Sequence, residues 1–275
     1  MGGVYALLQV SRRLMRFLPA SKPLQLPTDP VPVTWPEIIE RLVPLSRRLD
    51  QAERVRLLRL AQLLLREAPM EGCGGLDLTE EMRVTIAATA CLLLLNLPYP
   101  RFAALRRVLV YPDTFVPVRL ESPNNRGIQT DPGPHLGEAW RGGIVVLSWN
   151  SVSSVDASAR DGRNVVLHEF AHVLDGEDGA FDGAPILESA EAVREWGRIF
   201  KAEFEREQHE LSHSGEGALD PYAATNRAEF FAVATEAFFE SAARLRDRLP
   251  ELYEQLRRFY RQDPAARIEG RSDAS

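Results

Sequence analysis

Apolar side chains recur three and four positions apart at Ile38, Ile39, Leu42 and Leu45, and again at Val55, Leu58, Leu60, Leu63 and Leu64. Such spacing lines one face of a 3.6-residue repeat and predicts two amphipathic helices. A third helix is expected from about Thr79 to Asn96. Its second half, Ile86 to Leu95, is apolar on nearly every side and reads as a buried central helix. After Pro98 and Pro100 the period changes. Val108 to Tyr111 and Ile144 to Trp149 are short β-branched runs bounded by proline or glycine, which predict strands of a small sheet. The segment between them, with Pro123, Asn124, Asn125, Gly127 and Pro132, predicts a loop or irregular hairpin. Three more helical stretches are expected near 187–211, 226–245 and 247–262, and the polar tail from Ile268 to Ser275 is expected to fray.

Six prolines between residues 18 and 36 forbid regular structure there and predict an extended arm. The expected organisation is an N-terminal segment and arm over 1–35, one domain over 36–265 whose first part, 36–97, is helical, and a tail over 266–275. The fold class is α+β, predominantly helical, with a small β-sheet.

Composition narrows the classes. With 45% apolar residues among 275, the chain can bury a core without staples. Its two cysteines, Cys73 and Cys91, form no CxxC pair, so a reducing, cytoplasmic setting is expected. Tyr5 to Val10 is apolar, but Arg12, Arg13 and Arg16 end the run long before a bilayer could be crossed, and no membrane anchor is expected. The net charge is −6 and the arginines are interleaved with Asp and Glu, so direct binding of nucleic acid is not expected.

The segment Val165-Val-Leu-His168-Glu169-Phe170-Ala171-His172-Val173-Leu174-Asp175-Gly176 carries candidate chemistry. It is an HExxH pattern on an apolar helix that stops at glycine. Residues four apart share a helix face, so His168 and His172 can aim their imidazoles at one Zn²⁺ ion. Glu169, one step round, is placed to take a proton from water as general base. The plain alternative is two surface histidines on an ordinary helix. A peptidase zinc takes three protein ligands and keeps one position open. Asp178 stands at the ligand position of extended motifs, but the glycine those motifs need at 175 is one step late, at Gly176. Asp175 reads as a carboxylate that orients an imidazole, or simply as a polar helix end. Glu229, in the first turn of a helix with Phe230, Val233 and Ala234, is the better third ligand. Its spacing from Asn226 fits a helix cap equally well, and spacing alone leaves the two open.

At these residues the chain resembles the Mlc titration factor A family, bacterial zinc metallopeptidases of the gluzincin type. The resemblance rests on HEFAHVLD at 168–175, DPYAATNRAEFFAV at 220–233 and RVLVYPDTF at 107–115. It spans roughly residues 36–265 and implies a zincin-like fold built around the HExxH helix. It also implies His168, His172 and Glu229 as zinc ligands and Glu169 as catalytic base. The chain is also similar to the catalytic domain of anthrax lethal factor, in which a tyrosine seven residues before the ligand glutamate supports the transition state. Tyr222 has that spacing, with a turn-packing role as the alternative. The chain departs from the family at Arg227, where relatives often carry proline.

The resemblance implies an aminopeptidase-like hydrolase acting on a peptide or protein substrate, with a transcriptional repressor of the Mlc type as a further partner. The alternative is a regulatory binding protein that sequesters a transcription factor, its metal site vestigial or structural. The run Ile144 to Trp149 is a candidate edge for an extended substrate peptide, or else an interior strand.

Overall fold

Helix α1 (Trp35–Leu42) begins at the end of the proline-rich arm, with Pro36 in its first turn, where a missing N–H costs nothing. The computed structural model describes residues 25–97, 102, 105–113, 137–140, 143–153 and 162–272, with the backbone alone for 137–140 and 269–272. Residues 1–24 and the loop expected over 123–134 lie outside the described residues. A 3₁₀ turn (Pro44–Arg48) leads to α2 (Gln51–Glu67), whose start is fixed by a reciprocal cap. The Asp50 carboxylate accepts from Glu53 N at 2.8 Å and the Glu53 carboxylate accepts from Asp50 N at 3.1 Å. The buried face of α2 is Leu57, Leu60, Ala61 and Leu64. Val55, expected on that face, is 49% exposed, because the true stripe starts two residues later.

Helix α3 (Glu80–Cys91) and the 3₁₀ turn after it (Leu92–Leu94) form the expected central element, buried from Val84 through Leu95. Its two buried hydroxyls turn back on the helix, Thr85 donating to Glu81 O at 2.7 Å and Thr89 to Thr85 O at 2.8 Å. No helix among the described residues is long and apolar enough to cross a membrane.

The sheet has four strands, β1 (Met70–Gly72), β2 (Arg107–Tyr111), β3 (Gly137–Trp140) and β4 (Ile144–Ser148), in the order β1-β2-β4-β3. β1, β2 and β4 run parallel, with Val108 opposite Val145 and Val110 opposite Leu147, and β3 joins β4 antiparallel. β2 and β4 fall where the β-branched runs predicted. β1 has three residues, too few to show an alternation, and β3 lies in a glycine-rich stretch that reads as loop. β4 is buried between two neighbours, so it is not an edge strand; β1 and β3 are.

Trp149 starts the short helix α4 (Trp149–Ser153) instead of ending a strand. Then come α5 (Val165–Asp175), α6 (Ala190–Ser214), α7 (Arg227–Glu240), α8 (Ala242–Arg248), α9 (Pro250–Tyr260) and α10 (Pro264–Ser272). The single helix expected over 226–245 is two, interrupted at Ser241, which leaves helical geometry at φ −130° and ψ 43°. The tail expected to fray from Ile268 continues α10 to Ser272, because Ala265 is fully buried, Ile268 packs on the core and Arg267 pairs with Glu53 of α2. Helix α5 packs against α3 and α7. An aromatic cluster of Trp196, Phe200, Phe230, Phe231 and Phe259 joins α6, α7 and α9 behind the site.

Candidate metal centre

Asn164 starts the histidine helix: its side chain accepts from Leu167 N at 3.2 Å and its amide nitrogen donates to Glu240 of α7 at 2.8 Å. From that start, His168 and His172 rise one turn apart. Their Nε2 atoms stand 3.2 Å from each other, and Glu229 Oε2 lies 3.0 Å from the first and 3.2 Å from the second. The rings meet edge to face at 4.9 Å. Asn226 caps α7 by accepting from the backbone N of Glu229 at 3.0 Å, and the Glu229 side chain reaches the imidazoles. Spacing left cap and ligand as rivals for Glu229. Its backbone serves the cap and its carboxylate is free for the site.

The arrangement suits a small divalent cation. Three donor atoms bound tetrahedrally at about 2.0–2.2 Å would lie roughly 3.3 Å apart, close to the spacing found here. The donor chemistry agrees, two imidazole nitrogens and one carboxylate oxygen within a single 4.8 Å cluster. His168 Nδ1 lies 2.7 Å from Glu236 Oε1. A carboxylate only accepts, so Nδ1 carries a proton, and with a cation at the centre Nε2 would turn its lone pair to it. Glu236 is held in turn by the backbone N of Asn164, which ties the cap of α5 to α7.

Electrostatics point the same way. Burial lowers the pKa of His168, but hydrogen bonds to Glu229 and Glu236 outweigh it and raise the value to about 10. Burial raises that of Glu229, and its bonds to His168 and His172 overcome this and hold it well below the usual carboxylate range. The carboxylates thus build a negative field around the imidazoles that favours a cation. Glu169, 1% exposed, adds its charge to that field at His168. Tyr222 sits in a 3₁₀ turn (Pro221–Ala224), its ring 5.9 Å from that of His168 and 41% exposed. Asp220 starts the turn by accepting from Tyr222 N at 2.9 Å, and Arg163, beside the cap of α5, donates to the same carboxylate.

Two expectations need correction. Asp175 does not orient an imidazole. Its carboxylate accepts from Gly183 N at 3.0 Å and Ala184 N at 2.8 Å, because the chain folds back under the helix end. Burial pushes its pKa up to about 7 against the pull of those two donors. Asp178 is exposed beyond the helix, accepting from Ala180 N, and is not in the cluster of candidate ligands. The orienting carboxylate is Glu236, which sequence reasoning missed. Its signal was legible: it stands seven residues after Glu229, two turns along the same helix face.

The sequence profile of the glucose-regulated metallo-peptidase M90 family matches residues 18–261. The chain belongs to that family. Among relatives of this metallopeptidase family, an uncharacterised protein of Synechocystis sp., slr2042, is 38% identical over 244 residues, covering 87% of this chain and 88% of its own length. Mlc titration factor A of Serratia proteamaculans is 35% identical over 231 residues, 82% of this chain and 87% of its own. Mlc titration factor A of Yersinia pestis is 32% identical over 237 residues, 85% and 86% respectively. The resemblance to the Mlc titration factor A family is thereby met. A metallopeptidase family suggests a metal ion, and among the described residues the cluster above could hold one.

The bond from His168 to Glu236 carries a prediction. Glu236→Gln keeps the size but loses the full charge, and the metal affinity, measured by chelator competition, is expected to fall about 10–100-fold. An unchanged affinity would reduce Glu236 to a packing role.

Proposed function

We propose that this M90-family chain is a zinc-dependent peptidase, aminopeptidase-like, that hydrolyses peptide bonds of a peptide or protein substrate in the cytoplasm. The observation that carries the reading is the convergence of His168 Nε2, His172 Nε2 and Glu229 Oε2 beside the buried Glu169. Three ligands leave room for water or substrate, whereas a structural zinc is closed by four. In this proposal His168, His172 and Glu229 hold the ion. Zinc at such a site acts as a Lewis acid, acidifying water and polarising a carbonyl.

Glu169 takes the proton of the attacking water as its oxygen bonds to the peptide carbonyl carbon. As the carbon–nitrogen bond breaks, Glu169 hands that proton to the leaving amine, so one carboxylate serves both halves of the reaction. Tyr222 donates its phenolic hydrogen to the oxyanion that forms in between, a role supported by its ring lying beside that of His168. The substrate peptide adds in β fashion along β3, the edge strand that packs next to the histidine helix, rather than along the other edge, β1. A repressor of the Mlc type is the proposed protein partner, on the strength of the name that two of the relatives carry.

That name also supports the second reading, a regulatory protein that captures a transcription factor without cleaving it. Profiling a peptide library with and without a chelator separates the two. Cleavage that the chelator stops and zinc restores is expected. If no peptide is ever cleaved while a repressor is still captured, including by a Glu169→Gln variant, the peptidase reading fails. Tyr222→Phe is expected to keep the metal and to lower turnover by about tenfold or more, and an unchanged rate would remove Tyr222 from the reaction.

A further inference from the structure

The loop between the histidine helix and α6 is drawn onto the site's supports from three sides. From α5, the 1%-exposed Asp175 gives one carboxylate oxygen to Gly183 N and the other to Ala184 N. From α6, the buried indole of Trp196 donates to Gly183 O at 3.0 Å and packs edge-on against Phe231 of α7. On the third side Gly183 lies against the first residue of α7. A Cβ on Gly183 would stand 2.3 Å from the Arg227 carbonyl oxygen and 2.8 Å from its carbon. Arg227 is two residues before Glu229.

We propose that Asp175 is a positioning residue: through the Gly183–Ala184 turn it sets how closely the Glu229 helix approaches the histidine helix, and so how tightly the site holds its metal. The inference rests on the proposed metal site and assigns a function to the last residue of HEFAHVLD that the ligand set leaves unexplained. Asp175 pulls the turn under α5, and only a glycine lets the turn bear directly on the backbone of α7. Clearing a Cβ contact of 2.3 Å moves one partner by most of an ångström. A working constellation tolerates about 0.5 Å. Since Arg227 and Glu229 share the first turn of α7, a shift at the carbonyl is passed to the carboxylate.

The same loop holds its own control. Gly183 and Gly179 both adopt φ +79°, so alanine is strained alike at either, but a Cβ at Gly179 meets nothing within 4 Å. Zinc(II) alone is titrated, in competition with a chelating dye, into wild type, Gly183→Ala and Gly179→Ala, and the melting temperature of each metal-free protein is measured alongside. The expected result is a loss of thermal stability in both variants, larger in Gly183→Ala because of its added clash, with zinc affinity of the folded protein about tenfold or more weaker in Gly183→Ala and within about twofold of wild type in Gly179→Ala. Equal zinc affinity in the two variants overturns the proposal. If Gly183→Ala does not fold, Asp175→Asn is read instead: it keeps one acceptor oxygen for the turn, weakened zinc binding supports the clamp, and wild-type affinity overturns it. A wild type that takes up no zinc overturns the metal site itself, and the clamp with it, so the two failures are told apart.

Discussion

Glu169→Gln is expected to keep its full complement of metal and to lose peptide hydrolysis by about 10²–10⁴-fold, the usual contribution of a positioned general base. Glutamine has the shape of glutamate and cannot take a proton from water. The proposed ligand atoms belong to His168, His172 and Glu229, so the substitution leaves that donor set whole. The site is also relieved of one buried negative charge, since Glu169 is 1% exposed and its charge is felt at His168. Folding should therefore survive, and any loss of rate is attributable to proton transfer. The check is metal content by mass spectrometry beside the rate on a cleaved peptide. Turnover within a few-fold of wild type would dismiss Glu169 as the base.

Glu229→Ala is expected to strip the site. The carboxylate oxygen that contacts both imidazoles at 3.0 and 3.2 Å disappears, and two nitrogens alone make a poor zinc site at neutral pH. The helix itself should be kept, because Asn226 caps α7 through the backbone N of residue 229, which alanine retains. Loss of metal without loss of α7 is thus the signature of a ligand. Zinc bound at about a thousand times its dissociation constant contributes about 4 kcal/mol of stability. The wild type should accordingly melt at a lower temperature after chelation, and the variant should melt alike with and without chelator. Full zinc occupancy in Glu229→Ala would return the residue to a helix-capping role.

The parts of the fold legible from sequence are those where a single physical signal dominates. Ile86 to Leu95 is apolar all round and is the buried central element; Val108 to Tyr111 and Ile144 to Ser148 are β-branched and pair in parallel. Strands β1 and β3 left no signal, the first being only three residues long and the second a glycine-led edge strand. The tail misled because its polarity outweighed a single apolar anchor, Ile268, which together with the buried Ala265 just before the tail keeps α10 on the core.

At the site, local spacing was enough to group His168 with His172, because both lie on one helix. The partners on α7 needed the tertiary fold. Asn226 and Glu229 fit a cap and a ligand at once, and only the approach of α7 to α5 separates what the backbone does from what the side chain does. Asp175 shared the histidines' helix and so seemed the natural orienting group, yet the helix ends at Gly176 and its carboxylate is claimed by the returning turn. Glu236, 68 residues away in sequence, takes the role Asp175 was expected to fill.

Whether His168 and His172 share one zinc ion is decided by the zinc K-edge X-ray absorption spectrum of the loaded protein. The expected spectrum shows a first coordination sphere of light atoms at about 2.0–2.2 Å, with the outer-shell scattering of two imidazoles and no sulfur. A spectrum fitted by one imidazole or none, by sulfur, or by the hydrated ion alone would contradict it.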